Sequence, residues 1–270
     1  MKLETASHAF ITGGASGIGL AIGRALASRG IRVTLADIDG GAIDAVLAQE
    51  GAAIRGTVLD VRDREGWAKA KAEAEADFGP VDLLFNNAGI ASFGFDLADM
   101  DPDAFDRVVA VDLTGVFNGI SAFAAGMREC RGGHIVNTSS MAGICGPSQG
   151  IGGSYAAAKF GVAGLSETLR TELAPYDVGV SILCPGMTAT GIAQSSMKLG
   201  GDMRLPPADR QVSPPSLPAE FEHGTPDETA RLVLRGIEAN SPYIITHGKG
   251  WWPLAEQRHV ILEKAFEDVR

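Results

Sequence analysis

The chain has 270 residues, 45% of them apolar and 21% charged, with a formal net charge of -10. That balance suits a soluble globular protein built as one large α/β domain or two small ones, and it excludes the basic patch that a nucleic-acid or anionic-membrane surface requires. Cys130, Cys145 and Cys184 are odd in number and too far apart for a CxxC redox or zinc motif, no run approaches eighteen apolar residues, and Met1 to His8 hold too little apolar length for a signal peptide. The expectation is a protein of the reducing cytoplasm, without nucleic-acid or membrane partners, that meets a small molecule or another copy of itself.

Short apolar or β-branched runs alternate with longer helical patterns, the mark of a parallel sheet covered by helices on both faces. Ala9 to Thr12 reads as the first strand and Gly17 to Arg29 as the first helix. Between them Gly13, Gly17 and Gly19 fall where a backbone must turn tightly and approach a pyrophosphate, with the amides of the helix start facing the anion. Arg32 to Ala36 is the second strand, and Asp37 ends it about eighteen residues past Gly19, where a carboxylate can accept hydrogen bonds from the adenosine ribose hydroxyls. A 2'-phosphate there would meet like charge, and no arginine or lysine lies within the glycine-rich turn, so the reading is NAD over NADP.

A helix over Gly41 to Gln49 and a strand over Ala53 to Leu59 follow, and after them Asp60-Val61, placed to hold the adenine amino group. Asp63 caps a helix that runs to Phe78, and Val81 to Phe85 is the fourth strand. Asn86-Asn87-Ala88-Gly89 then lies where it can line the adenosine ribose and stabilise the sheet. Beyond it come a long helix from about Pro102 to Met127, a strand from His134 to Thr138, a helix from Ser154 to Leu173 and a strand from Val178 to Leu183 that ends at Cys184-Pro185-Gly186. The periodicity breaks between about 191 and 225, where Pro206, Pro207, Pro214, Pro215 and Pro218 crowd a stretch longer than an ordinary loop. Because it follows a strand end it reads as a lid over a ligand. Pro226 to Glu238, Tyr243 to Thr246 and Leu254 to Asp268 complete a single domain over 1–270 as helix, strand and helix, with Trp251-Trp252 packing the terminal helix or an oligomer contact.

Tyr155 and Lys159, four residues apart, share a helix face, so the ammonium can favour the ionised phenol. A phenol brought down toward neutrality is a general base for an alcohol or a general acid for a ketone. Met141, Ile144, Met187, Met197 and Met203 lie beside this chemistry or in the lid and suggest an apolar, adaptable pocket for a bulky hydrophobic or aromatic substrate. The five histidines show no metal-ligand spacing, and no GxSxG elbow is present.

Taken in order and spacing, the stretch from Thr12 to Gly19, Asp37, Asp60-Val61, Asn86 to Gly89, Ser139-Ser140, Tyr155 with Lys159, and Pro185-Gly186 resemble the short-chain dehydrogenase/reductase family over residues 8 to 190, and more loosely to 246. The resemblance implies a Rossmann-type doubly wound sheet in the order 3-2-1-4-5-6-7, a nicotinamide cofactor across its carboxyl edge, and a homotetramer or homodimer that buries the two long helices beginning near 102 and 154. It places the cofactor on Gly13, Ser16, Gly17, Ile18, Gly19, Asp37, Asp60, Val61, Asn87, Ala88, Gly89, Tyr155, Lys159, Pro185, Gly186, Thr188 and Thr190. It makes Tyr155 the proton donor and acceptor, Lys159 the group that lowers its pKa and bonds the nicotinamide ribose, and Ser140 the donor to the reacting oxygen, with Ser139 packing or capping. The link from Ser140 to Tyr155 is about two residues longer than in the family pattern, with Gly150, Gly152 and Gly153 absorbing the excess.

One position departs from that pattern. Asp112 stands where the family usually has an asparagine that helps hold a water linking the lysine to solvent. The expectation is that Asp112 keeps this proton-relay role, that its charge partly cancels the field of Lys159, and that the pH optimum moves upward. The activity implied is hydride transfer between NAD(H) and a secondary alcohol or ketone. The alternatives on the same fold are a lyase, dehydratase or epimerase that keeps its cofactor bound, and a non-catalytic NAD(H)-binding regulator, against which the intact Ser140, Tyr155 and Lys159 speak.

Overall fold

The apolar run Ala9-Phe10-Ile11 is buried on every side, as a strand must be when helices cover both faces of its sheet. In the computed structural model, which describes residues 3–91, 97–145, 152–190, 192, 196 and 224–269, this run is the centre of β1 (His8–Thr12). Around it stand β2 (Arg32–Asp37), β3 (Ile54–Val58), β4 (Leu83–Asn86), β5 (Gly133–Thr138), β6 (Val178–Cys184) and β7 (Tyr243–Ile245), in one seven-stranded sheet of order β3-β2-β1-β4-β5-β6-β7. Every pairing is parallel. The order reverses between β1 and β4, and at such a switch point the chain leaves neighbouring strands in opposite directions and opens a crevice at their carboxyl ends.

Two large apolar cores form among the described residues, one on each face, with a smaller third one around Met141, Cys184 and Trp251. Helices α1 (Gly17–Ala27), α2 (Gly40–Leu47) and the later α7 (Pro226–Glu238) bury Ile22, Leu26, Ile43, Val233 and Ile237 against one side. On the other, α3 (Arg64–Phe78), α4 (Pro102–Val109), α5 (Gly115–Cys130) and α6 (Gly153–Leu173) surround Phe10, Trp67 and Phe123, whose rings lie 5.0–6.3 Å apart. Helix starts follow local chemistry. Asp63 accepts the Glu65 amide at 3.0 Å, as its expected cap role requires, and Thr225 forms a reciprocal capping box with Glu228 ahead of Pro226. The last helix, α8 (Trp252–Glu267), follows the buried Trp251 and buries none of its own residues.

Where one helix is predicted from Pro102 to Met127, α4 and α5 join through a π-helical turn, Ala110–Thr114, and run on to Cys130. A π turn inserts a residue and redirects the side chains it carries. Here it drives Asp112 fully inside. By length and composition Pro102–Cys130 is, among the described residues, the one helix able to cross a bilayer, yet half of its most apolar window is buried within this fold, where it packs on the sheet. The expected lid near 191–225 lies outside the described residues except for Thr225, Gly224, Ile192 and Ser196, and so do Met197, Met203 and the longer link at 146–151. The chain on either side of that stretch meets itself again. Ala189 donates to the Gly224 carbonyl at 3.1 Å and Gly224 donates to that of Met187 at 2.9 Å.

Candidate active site

A cleft of about 750 Å³ follows the carboxyl ends of the strands. The glycine-rich turn forms one wall. Gly13 has φ +62°, a conformation that favours glycine, and a Cβ there would sit 3.0 Å from the Ala88 Cα. Ser16, the N-cap of α1, makes no side-chain cap bond, so the first-turn amides remain available to an anion in the cleft. At the end of β2, Asp37 accepts the Ala15 amide on one carboxylate oxygen and the Asp39 amide on the other, each at 3.1 Å. These bonds lock the carboxylate to the turn and leave lone pairs for a diol. Uncapped amides for a pyrophosphate and a fixed carboxylate for a ribose fit a dinucleotide.

Of the residues expected to bind cofactor, all but Gly19 line this cleft. Gly19 lies beneath it, because a Cβ at that position would be 2.3 Å from the Gly13 carbonyl oxygen. Its service is to let α1 approach the turn. Asp60 and Val61 border the cleft together with Arg62, which the sequence reading did not single out. The Arg62 guanidinium grips Asp60 through Nε at 2.9 and 3.1 Å and Nη2 at 2.6 Å, and this hydrogen-bonded partner holds the Asp60 carboxyl below its ordinary range. Thr12 opens the glycine-rich motif, and the structure adds a role for its side chain. Its hydroxyl accepts the amides of Asn87 and Ala88 at 2.9 and 3.0 Å, which fixes the turn after β4 against the turn after β1. Its adjacency to Gly13 was the available signal.

At the other end, α6 carries Tyr155 and Lys159 past the end of β5. Ser139, the buried first serine of the pair, donates to the Lys159 carbonyl at 2.8 Å and so fixes the helix, as its packing role implies. Ser140 faces the cleft, accepts the Ala142 amide at 3.2 Å and acts on the Tyr155 phenol to favour its ionised form. Lys159 donates to the Thr138 carbonyl at 3.0 Å, stands 3.0 Å from Asp112 Oδ2, and lies 5.5 Å from the centre of the Tyr155 ring. Asp112 Oδ1 accepts the Ile90 amide at 2.8 Å. Asp112 does not border the cleft and can act on a reactant only through Lys159.

The electrostatics correct one expectation. Burial is the largest influence on Tyr155 and raises its pKa; Lys159 pulls it down, Asp112 pushes it up, and the balance lies above the ordinary phenol value rather than below it. Burial lowers the Lys159 pKa, but Asp112 and Tyr155 more than offset it, so the ammonium is retained. Burial raises the Asp112 carboxyl, against the opposing pull of Lys159 and the Ile90 amide.

Pro185 accepts the Met141 amide at 3.0 Å, and Gly186 donates to Thr246 Oγ1 at 3.2 Å. The turn after β6 is thereby tied both to the turn of Ser140 and to the end of β7. Met187 lines the cleft as expected, whereas Met141 is core at 3% exposure and Ile144 packs beside it. Trp251, expected only to pack, borders the cleft as well as the core, while Trp252 is 63% exposed.

The family model for short chain dehydrogenase matches residues 7–199. The chain belongs to the short-chain dehydrogenase family. It is 37% identical over 275 residues to a C alpha-dehydrogenase of Sphingobium sp. strain SYK-6, covering 97% of this chain and 84% of that one. It is also 37% identical over 229 residues to 2-(S)-hydroxypropyl-CoM dehydrogenase 3 of Xanthobacter autotrophicus, with 83% and 86% covered. Among solved structures, a short chain dehydrogenase/reductase from Burkholderia phymatum in complex with NAD superposes with a TM-score of 0.82 at 32% identity, covering 98% of this chain and 97% of that one. A short-chain dehydrogenase with relatives named for dehydrogenation and reduction is an oxidoreductase.

Proposed function

We propose that the protein transfers a hydride between NAD(H) and a secondary alcohol or ketone that is bulky and hydrophobic or aromatic. The observation that carries this reading is the meeting of Ser140, Tyr155 and Lys159 at one end of a cleft whose other end is built for a dinucleotide. A bound nicotinamide supplies the hydride acceptor or donor. When the alcohol carbon loses hydride, Tyr155 takes the hydroxyl proton as the C–O bond becomes a carbonyl, and reduction runs the same transfers in reverse. Ser140 donates to the reacting oxygen, and Lys159 stabilises negative charge on the phenol. Asp37, anchored by two amides, and Arg62, committed to Asp60, support NAD over NADP. Ile90, Ala91, Met187, Ile192 and Trp251 give the cleft an apolar wall that supports the substrate class.

The remaining expectations are part of the same proposal. The protein works as a homodimer or homotetramer, a reading supported by the exposed apolar side chains Phe117 on α5 and Trp252, Ile261 and Phe266 on α8, and its compartment is the cytoplasm. NADH absorbance, followed over a panel of aliphatic, aromatic, terpenoid, steroid and sugar alcohols with NAD and separately with NADP, tests the activity, the cofactor and the substrate class. The expected result is an NAD-dependent signal that falls about 10²–10⁴-fold in Tyr155→Phe while NADH still binds. Silence over the panel with NADH bound would favour a lyase, an epimerase or a regulator.

A further inference from the structure

The buried pair behind the phenol carries information about the direction of the chemistry. Lys159 alone would present Tyr155 with a full positive charge in a poorly screened interior. Asp112 stands 3.0 Å from that ammonium, and the pair is 3% and 0% exposed. Seen from the phenol, a lysine so partnered is closer to a dipole than to a charge, and the field of a dipole falls off faster. The carboxylate is held in place. Its Oδ1 accepts the Ile90 amide at 2.8 Å, and the Gly89 backbone packs so tightly that an added Cβ would lie 3.1 Å from Asp112 Oδ2 and 3.3 Å from Lys159 Nζ. The charged and titratable groups facing Tyr155 are Lys159 from its own helix, Asp112 from the π turn and Cys184 from β6; Ser140 adds a neutral polar group that favours the ionised phenol. A neutral asparagine at 112 would leave the lysine charge uncompensated.

We propose that Asp112 is a positioning residue that offsets the Lys159 charge at Tyr155, so that this site is set to donate a proton in carbonyl reduction and oxidises alcohols efficiently only on the alkaline side. The proposal rests on the hydride-transfer reading for its direction of reaction, but not for the electrostatics. In the favoured direction hydride adds to the carbonyl carbon, the Tyr155 proton passes to the carbonyl oxygen, and the phenolate is reprotonated from solvent. The raised phenol pKa agrees with this arrangement; burial is its largest cause, and Asp112 adds to it against the pull of Lys159.

The experiment titrates the phenol by ultraviolet absorbance in the protein without substrate, as the difference between each Asp112 form and the same form carrying Tyr155→Phe. It also records pH-rate profiles for oxidation and reduction. Asp112→Asn is expected to lower the phenol midpoint, to move the rising limb of oxidation down by about 1–2 pH units, and to move the falling limb of reduction down with it. Asp112→Ser, smaller and equally neutral, is expected to shift in the same direction and serves if the asparagine form does not fold. An unmoved phenol midpoint in the folded variants would overturn the proposal. A midpoint that moves in a protein that turns over neither alcohol nor ketone would uphold the electrostatic role of Asp112 and overturn the hydride-transfer reading instead.

Discussion

The Thr12 hydroxyl and the Asn87 backbone hold the two halves of the sheet in register at the crevice. Thr12 Oγ1 accepts the Asn87 amide at 2.9 Å and the Ala88 amide at 3.0 Å while donating to the Phe85 carbonyl at 3.3 Å, and Asn87 Nδ2 returns a bond to the Thr12 carbonyl at 3.1 Å. Thr12→Ala strands amides that water reaches poorly. It should cost about 1–3 kcal/mol and weaken NADH binding, whereas Thr12→Ser should keep most of both. Thermal melts and NADH fluorescence titrations of the two variants give the answer; equal behaviour of Ala and Ser would show that the hydroxyl does not matter.

Gly19 makes a sharp case because the nearest atom it would strike is backbone. A Cβ at 19 lies 2.3 Å from the Gly13 carbonyl oxygen and 2.8 Å from Asn87 Nδ2, so Gly19→Ala must push α1 away from the turn. We expect a loss of NADH affinity of at least tenfold. Gly126, on α5, has nothing within 4 Å of its added Cβ, and Gly126→Ala should be neutral or stabilising by up to about 1 kcal/mol. Calorimetric titration of NADH into both proteins separates the two outcomes.

Acid should destabilise the fold through His134. Its side chain is fully buried on β5, with Nε2 2.8 Å from Ser181 Oγ, and burial pushes its pKa down from 6.5 to about 3. Below pH 6.5 the unfolded chain takes up a proton that the folded chain refuses. The stability contribution is therefore present above 6.5 and is lost as pH falls toward 3, in total on the order of 5 kcal/mol. Urea unfolding of His134→Gln across this range should show a shallower pH slope than the parent, whatever its stability at neutral pH. An unchanged slope would assign acid sensitivity elsewhere.

The three cysteines should divide by accessibility. Cys130 is exposed, whereas burial raises the Cys145 thiol to about 11 and the Cys184 thiol to about 12. Since the thiolate is the nucleophile, brief alkylation near neutral pH should label Cys130 and spare the other two. Mass spectrometry of the digested protein reads this directly. Early labelling of Cys184 would mean that the core beside Pro185 opens.

Much of the fold lies in local patterns that a single chain displays. The apolar runs of β1, β2, β4, β5 and β6 announce a doubly covered parallel sheet, Asp63 marks the start of α3, and the spacing of Tyr155 and Lys159 puts them on one helix face. The glycine-rich turn and Asp37 are equally legible, because a tight turn and a strand-end carboxylate each need particular residue types at particular positions. Residues that serve through space are harder to read. Nothing near Arg62 in the chain says that it will border the cofactor cleft, and nothing near Trp251 says that it will border the chemistry rather than only cap a helix.

The sequence by itself determined which groups exist and which of them share an element: a glycine turn before a helix, a serine after a strand, a tyrosine and lysine on one face, and an aspartate in place of an asparagine at 112. Tertiary structure decided what those groups feel. The Tyr155 shift depends first on burial and then on Lys159 and on a carboxylate that sits buried on a π turn beside it, and the role of Gly19 depends on a carbonyl six residues earlier that folds back over it. Desolvation and charge separation are functions of distance in space, and a parallel sheet with crossover helices brings together residues whose separation along the chain carries no trace of that distance.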